Sequence, residues 1–191
     1  MLIVGPPGSG KGTQAERISE RLQVVAISTG DIFRDNVKGL TSLGLEAKKY
    51  LDAGDFVPDG ITNKMVRERL GEPDVEHGFL LDGYPRTLAQ VEYLDRILAK
   101  GMQKLDVVLR LTTDDEELVV RLLARAKDTR RTDDNEAVIR HRLDLYHKQT
   151  EAVVAKYAER NIVAQVDGSG AISTVTDRIM RTMTSVHSAH P

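Results

Sequence analysis

Residues 2–14 read LIVGPPGSGKGTQ, and this segment is the strongest indication of the fold. An apolar strand enters a glycine-rich turn, and residues 15–22 then continue as a helix. Glycines allow consecutive backbone N–H groups to turn toward one centre, and the N-terminus of the following helix adds partial positive charge. This context predicts a phosphate-binding loop in which Lys11 reaches the outer phosphates and Thr13 lies near a Mg²⁺ shell. The alternative is an ordinary glycine-rich turn between a strand and a helix.

The overall composition narrows the possible classes of protein. A length of 191 residues favours one compact α/β unit, and we expect a single domain over residues 1–191. Lys and Arg total 27 against 29 Asp and Glu, so the net charge of -2 creates no global field that would attract nucleic acid or a membrane. The absence of cysteine excludes disulfides, thiolate nucleophiles and cysteine-type zinc sites. No segment approaches the roughly 18 apolar residues of a membrane helix, which predicts a soluble, cytoplasmic protein.

Short apolar runs alternate with segments of helical spacing. The runs are continuous and rich in Val, Ile and Leu, which is typical of strands that are buried on both faces of a parallel sheet. They cover residues 2–4, 24–27, 79–81, 107–111 and 162–166. The pattern predicts an α/β fold of the P-loop NTPase type: a five-stranded parallel sheet flanked by helices, with ligands outside the carboxyl ends of the strands.

Two regions depart from the simple alternation. Residues 28–70 contain several helical stretches, which is more than one crossover needs. Residues 125–134 contain no large apolar side chain and are interpreted as a solvent-facing loop between two helices. The last residues, 185–191, are expected to fray.

The glycine loop narrows the family, because Gly12 stands directly after Lys11 where the general motif has Ser or Thr. The loop resembles that of adenylate kinases and closely related nucleoside monophosphate kinases, and further matching segments follow in the family's order. These are residues 28–31, 51–58, 81–86, 131–134 and 167–170, together with Arg125 and Arg142.

The resemblance implies reversible transfer of a phosphoryl group from ATP to AMP, giving two ADP, with Mg²⁺. It also implies a helical AMP-binding insertion and a lid. Thr29 and Tyr84 favour AMP, since UMP/CMP kinases usually carry Ala and more often Phe at these positions. A UMP/CMP kinase, a kinase for another small acceptor and a P-loop nucleotide switch remain as alternatives. The expected partners are ATP, AMP and ADP, without nucleic acid or membrane, and the expected state is a monomer.

The resemblance also assigns roles to individual residues. ATP is assigned to Gly8, Ser9, Gly10, Lys11, Gly12, Thr13, Arg125 and Gly170. AMP is assigned to Thr29, Arg34, Asp55, Phe56, Val57, Gly83, Tyr84, Pro85, Arg86, Gln90, Arg131 and Arg142. The catalytic set is Lys11, Arg86, Arg125, Arg131 and Arg142, and Thr13 and Asp82 are assigned to Mg²⁺ through water.

Simpler interpretations exist for several of these residues. Ser28 or Thr29 can be a helix cap, Arg34 can be a surface arginine, and Asp82 can be a helix cap. The lid arginines can each be solvated charges, and residues 167–170 can be a plain turn. Arg86 is harder to explain in this way, because its planar fork suits bidentate binding of phosphate.

Mobile segments are expected at residues 28–57, over AMP, and at residues 124–134, over ATP. The lid is short, since only five residues separate Arg125 from Arg131. It leaves no room for the β insertion that carries zinc in some relatives, so zinc is not expected. Because side chains of that insertion would pack on the ATP adenine, we expect looser base selectivity at the donor site.

Overall fold

The computed structural model describes residues 1–129 and 133–188. Arg131, part of the expected lid and residues 189–191 of the expected tail lie outside the described residues. None of the described helices is long and apolar enough to cross a membrane.

A parallel sheet of five strands in the order β2-β3-β1-β4-β5 forms the centre of the fold. The strands are β1 (Leu2–Val4), β2 (Val25–Ser28), β3 (Phe79–Asp82), β4 (Val108–Thr112) and β5 (Val163–Asp167). All five predicted strands are confirmed; four of them end one residue later than predicted, and three of these four also start one residue later. The shift matters for function, because it puts Ser28, Asp82 and Asp167 at the last position of their strands, on the edge where ligands bind.

Helices cover both faces of the sheet. They are α1 (Lys11–Leu22), α2 (Thr29–Lys38), α3 (Ser42–Ala53), α4 (Asp59–Arg69), α5 (Leu88–Lys100), α6 (Asp115–Thr129), α7 (Glu136–Leu145), α8 (Glu151–Ala158) and α9 (Ile172–Ser188). A 3₁₀ turn spans Pro73–Val75, and a π-helical turn at Tyr146–Thr150 joins α7 to α8. The several helical stretches predicted between the second and third strands are therefore α2, α3 and α4.

The core consists of two apolar layers, one on each face of the sheet. Along β1, Leu2 and Val4 contribute to the layer beneath α4, α5 and α8, whereas Ile3 contributes to the layer beneath α1 and α9. This alternation follows from the period of two in a strand. Both layers are buried, so the short central strand is held from both sides and its carboxyl end is a rigid base for the glycine loop.

The prediction of a loop from residue 125 was wrong, because α6 continues to Thr129. The segment from Arg125 to Lys127 is Arg-Ala-Lys, and these residues have high helix propensity whether or not they pack against a core. The preceding turns of α6 are anchored by Leu118 and Leu122, which pack in one cluster with Ile139 of α7. A charged end of a helix and a charged loop have the same composition, so the sequence pattern could not distinguish them.

Candidate active site

The glycine loop adopts the turn that its sequence predicts. Gly8 and Gly10 have φ values of +85° and +88°, in the left-handed region that favours glycine, and Gly10 precedes the first residue of α1. A Cβ atom on Gly8 would lie only 2.9 Å from Cγ of Leu122 on α6. The buried Ser9 hydroxyl has no hydrogen-bond partner in the described part of the chain. Gly12 and Thr13 follow Lys11 in the first turn of α1, and both are exposed.

Lys11 lies at the centre of a strongly charged region. Its Nζ donates a hydrogen bond of 2.8 Å to the carbonyl oxygen of Pro6. Burial lowers the pKa of the Lys11 ammonium to about 8, and the nearby Asp82 carboxylate opposes this shift. Arg86 and Arg142 repel the ammonium and lower its pKa further. A cation in these surroundings is stabilised by an anionic ligand, which phosphate groups would supply.

Asp82 ends β3 beside the first turn of α1. Its Oδ1 atom is buried and has no hydrogen-bond partner among residues 1–129 and 133–188. Burial raises the pKa of the Asp82 carboxyl, while Lys11 and Arg86 act in the opposite direction. Asp82 is not a helix cap, because the side chain of Thr87 caps α5 by accepting from the N–H of Gln90. The unpartnered oxygen is suited to a metal-bound water.

A cleft of about 550 Å³ opens between α2, α3 and the carboxyl ends of β2 and β3, and we call it the arginine cleft. It brings together nine of the residues assigned to AMP, namely Thr29, Arg34, Asp55, Phe56, Val57, Gly83, Arg86, Gln90 and Arg142. The alternative of a Ser/Thr cap is confirmed only for Ser28, whose side chain accepts from the N–H of Asp31. The Thr29 hydroxyl donates to the carbonyl of Asp82 at 3.3 Å instead.

A second space of about 510 Å³, the loop cavity, lies next to the arginine cleft. Its lining includes Lys11 and Pro7. Tyr84 and Pro85, which the resemblance assigns to AMP, also line the loop cavity and do not line the arginine cleft. Phe56, Gly83, Arg86 and Arg142 line both spaces. The two spaces therefore share one wall of guanidinium groups.

Arg86 is held in place by the backbone and by an aromatic ring. Its Nε donates to the carbonyl of Gly83 at 2.7 Å, and its guanidinium carbon lies 5.1 Å from the centre of the Phe56 ring. Burial lowers the pKa of Arg86 to about 10, and repulsion by Arg142 acts in the same direction. Arg34, one-third exposed, pairs with Asp31 on its own helix. Arg86 is therefore a half-buried cation that an anionic ligand in the cleft would stabilise.

Two of the lid arginines share one buried carboxylate. Arg125 donates from Nε and Nη2 to the two oxygens of Asp134 at 2.7 and 2.6 Å. Arg142 donates to Asp134 at 3.2 Å and pairs with Asp133 at 2.7 Å. The Asp134 side chain is 0% exposed, so the interpretation of these arginines as separate solvated charges is wrong. Arg125 lines neither the arginine cleft nor the loop cavity.

Asp134 is a residue that the sequence reasoning missed. It stands in a run of charged residues, where a carboxylate is usually solvated, so its burial was not expected. The available signal was the need to balance several clustered arginines, since cations buried together require an internal anion.

Arg121 is a second missed residue. It lies on α6 one turn before Arg125, and its Nη1 donates to the carbonyl of Gly168 at 3.2 Å. This places its guanidinium beside the turn of residues 167–170, in which Gly170 is exposed with φ +102°. The i, i+4 spacing from Arg125 was the signal that could have identified it.

Comparison with known proteins agrees with this geometry. The family described as adenylate kinase matches residues 3–162. The adenylate kinase of Pseudarthrobacter chlorophenolicus is 77% identical over 189 residues, which cover 99% of this chain and 98% of that protein. The adenylate kinase of Renibacterium salmoninarum is 71% identical with the same coverage, and that of Micrococcus luteus is 60% identical over 99% of this chain and 92% of its own length. The chain belongs to the adenylate kinase family.

Proposed function

We propose that the protein transfers the γ-phosphoryl group of ATP to AMP, reversibly and with Mg²⁺, to give two ADP. The observation that supports this best is the position of Arg86 and Arg142, whose side chains line both the arginine cleft and the loop cavity that reaches Lys11. Anionic groups can approach these guanidiniums from both sides. A P-loop protein that only switches between nucleotide states would not need the second set of arginines.

The donor nucleotide binds at the glycine loop in this proposal. The backbone N–H groups of residues 8–13 and the N-terminus of α1 bind the ATP phosphates, and Lys11 exchanges its bond to the Pro6 carbonyl for a phosphate oxygen. The adenine lies toward Gly170, where the flat guanidinium of Arg121 offers a stacking surface beside the Gly168 carbonyl.

The acceptor nucleotide binds in the arginine cleft. Arg34 and Arg86 bind the AMP phosphate, because planar guanidinium forks match phosphate oxygens. The adenine and ribose lie against the backbone of residues 55–57, with Thr29 at the base and Gln90 at its polar edge. All of these groups border the same cleft.

Mg²⁺ would accompany ATP, with Asp82 and Thr13 holding waters of its shell. The unpartnered Oδ1 of Asp82 fits this role. The described residues contain no group of three or more His, Cys, Asp or Glu that could hold a metal by themselves, so the phosphates would supply most of the direct ligands. The ion supplies neutralisation of phosphate charge when it is bound.

Catalysis in this proposal depends on position and charge. Phosphoryl transfer builds negative charge on the equatorial oxygens, and the protein needs no nucleophile of its own. Lys11, Arg86, Arg125, Arg131 and Arg142 would surround the transferring group. Asp134 fixes Arg125 and Arg142 before the substrates arrive, which reduces the reorganisation that their binding requires.

Closure of two mobile segments, residues 28–57 over AMP and residues 124–134 over ATP, would exclude water from the reacting phosphates. A contact in support of this joins the first segment to α7: Nε2 of His141 lies 2.7 Å from Oδ1 of Asp55. The short second segment leaves much of the donor base uncovered, so we propose weak selectivity among donor bases.

A panel of acceptors tests the proposed activity. With ATP and Mg²⁺, a coupled assay for ADP is run with AMP, CMP, UMP and GMP. AMP is expected to give a kcat/KM at least about 100-fold above the others, since a site built to hydrogen-bond a base edge rejects mismatched edges strongly. Preference for UMP or CMP would refute the assignment of AMP, and ATP binding without any transfer would favour the nucleotide switch.

A further inference from the structure

The side-chain amide of Gln90 has two hydrogen-bond partners, one donor and one acceptor. Gln90 lies on α5 and is only 2% exposed. Its Oε1 accepts a hydrogen bond of 2.7 Å from the backbone N–H of Arg86, and its Nε2 donates one of 2.6 Å to Oδ1 of Asp59. Asp59 is the first residue of α4, and its other oxygen accepts from the hydroxyl of Thr87 at 3.0 Å.

These partners fix which way round the amide stands. A backbone N–H can only donate and a carboxylate can only accept. If the amide turned by 180°, its NH₂ group would face the Arg86 N–H and its oxygen would face the Asp59 carboxylate. Both bonds would be replaced by repulsive contacts in a buried place, which is costly. Gln90 therefore has a single amide orientation for as long as Asp59 is an acceptor.

The fixed amide presents an ordered pair of polar atoms to a ligand. An amide has two N–H donors and two lone pairs on oxygen, and one of each is used by Asp59 and Arg86. The remaining N–H and lone pair have no hydrogen-bond partner in the parts of the chain that the structure describes, and Gln90 lines the arginine cleft. The cleft thus offers one acceptor beside one donor in a fixed order.

This order distinguishes two classes of purine. Adenine carries a donor, the 6-amino group, next to the acceptor N1, whereas hypoxanthine and guanine carry the acceptor O6 next to the donor N1–H. In one binding pose, an amide that pairs its oxygen with the 6-amino group and its N–H with N1 meets like against like on a 6-oxopurine. Such a mismatch removes two hydrogen bonds and leaves buried polar groups unpaired.

We propose that Asp59 is a specificity-determining positioning residue, which makes the acceptor site select 6-aminopurine over 6-oxopurine nucleotides by fixing the amide of Gln90. The inference rests on the proposed function, because it assumes that the arginine cleft binds a purine nucleoside monophosphate. Asp59 acts through Gln90 and does not need to touch the base.

A purely structural role for Asp59 has to be distinguished from this one. A carboxylate in the first turn of a helix stabilises that helix through its dipole, and Asp59 stands at the N-terminus of α4. Loss of this effect would weaken the binding of AMP and IMP alike. The ratio of the two acceptors separates the two roles.

The test uses the full chain and measures kcat/KM with AMP and with IMP, which has the guanine edge without its 2-amino group. In Asp59→Asn the new side chain can either donate or accept, so a turned Gln90 amide meets one mismatch, at the Arg86 N–H, instead of two. The AMP-to-IMP ratio is expected to fall by about 10-fold or more, through a higher KM for AMP and a lower KM for IMP. Asp59→Ser, which keeps a residue favourable to the helix start, is expected to shift the ratio in the same direction.

Two controls make the result specific. Glu68→Gln changes an exposed carboxylate on the same helix and is expected to leave the ratio within about 2-fold. In a Gln90→Ala background, adding Asp59→Asn is expected to leave the ratio unchanged, because the amide is gone. An unchanged ratio in both Asp59 variants, or an equal change with Gln90 absent, would overturn the proposal. If the wild-type chain uses neither AMP nor IMP, the proposed function itself fails.

Discussion

The charge of Lys11 destabilises the folded protein without a ligand and favours the binding of a phosphate ligand. Its ammonium is buried beside Asp82, but Arg86, Arg142 and Arg125 also act on it, and burial together with these cations lowers its pKa to about 8. The unfolded chain has no such penalty, and its lysine keeps the ordinary value of 10.5. The folded protein without a ligand therefore carries an unfavourable charge that a polyphosphate would stabilise.

The pH dependence of stability follows from this shift. Below about pH 8 Lys11 is charged in both the folded and the unfolded state, so the full cost of burying its charge is present. Between pH 8 and 10.5 the unfolded chain binds more protons than the folded protein, and the free energy of unfolding therefore rises with pH. In urea denaturation without ligand, Lys11→Met is expected to be more stable than wild type at pH 7, and the difference should shrink by up to about 3 kcal/mol toward pH 10.

The control for this experiment is Lys104→Met, at an exposed lysine, which should follow the wild-type curve. Lys11→Met is also expected to lose about 100-fold or more in kcat, because it removes a charge that stabilises the transferring phosphate. Parallel pH curves for the two variants would contradict the assignment of Lys11 as a destabilised cation.

The position of a residue can be predicted from the sequence where a local motif determines it. Lys11 could be predicted because the glycine spacing fixes its place in a strand–loop–helix unit. Asp134 could not be predicted, because its neighbours in sequence are charged and its burial comes from Arg125 and Arg142 on two helices. A carboxylate acquires such a role only through partners that the fold brings together.

At the scale of elements, the end of α3 and the side of α7 form a close junction. Gly54 ends α3 with φ +78° and packs so tightly that a Cβ atom there would lie 2.7 Å from Cγ1 of Val138 and 2.9 Å from Cγ of Arg142. The following residue, Asp55, contacts His141 on the same face of α7. The position of the AMP-binding segment is thus coupled to the helix that carries Arg142.

Two glycine substitutions test this junction against a matched position. Gly54→Ala is expected to lower the free energy of unfolding by about 1–3 kcal/mol, from backbone strain and from overlap with α7. It should also raise the KM for AMP several-fold, because residues 55–57 are displaced. Gly60→Ala, at a helical site with no atom within 4 Å of the added Cβ, is expected to stabilise by about 0.5–1 kcal/mol.

Thermal unfolding and AMP kinetics on the two variants provide the measurement. Equal behaviour of Gly54→Ala and Gly60→Ala would show that the junction is not tight in solution. An unchanged KM for AMP in a destabilised Gly54→Ala would separate the packing of α3 from the binding of the acceptor.

The same scale shows which elements a sequence can reveal. The five strands were predicted to within about one residue, because apolar runs such as 107–111 must be buried on both faces of a parallel sheet. The end of α6 was not, because residues 125–129 include no large apolar side chain and therefore leave no periodic signal. A hydrophobic pattern in the sequence indicates a buried face, so a helical turn without apolar residues leaves no such pattern.

At the scale of the whole molecule, strand order determines which loops meet. β1 lies between β3 and β4, so the glycine loop after β1 emerges beside Asp82 at the end of β3. The order of strands could not be predicted from five similar apolar runs, since these runs do not identify their neighbours. The meeting of the two binding spaces was expected only from the resemblance, and the shared wall of Arg86 and Arg142 is a product of the fold.

This shared wall makes a specific prediction about ligands that span both spaces. Two adenosines joined by a linear polyphosphate can occupy the glycine loop and the arginine cleft at once, so the second contact is made at high effective concentration. By titration calorimetry, such a dinucleotide is expected to bind at least about 100-fold more tightly than ATP. In Arg86→Ala the advantage should fall to within about 10-fold while ATP affinity changes little, because the guanidinium bridges the two spaces.

The control for the ligand that spans both spaces is Arg17→Ala, at an exposed position on α1, which should behave as wild type. Equal affinity of the dinucleotide and ATP for the wild-type chain would mean that only one nucleotide site exists, and phosphoryl transfer between two bound nucleotides would then be ruled out.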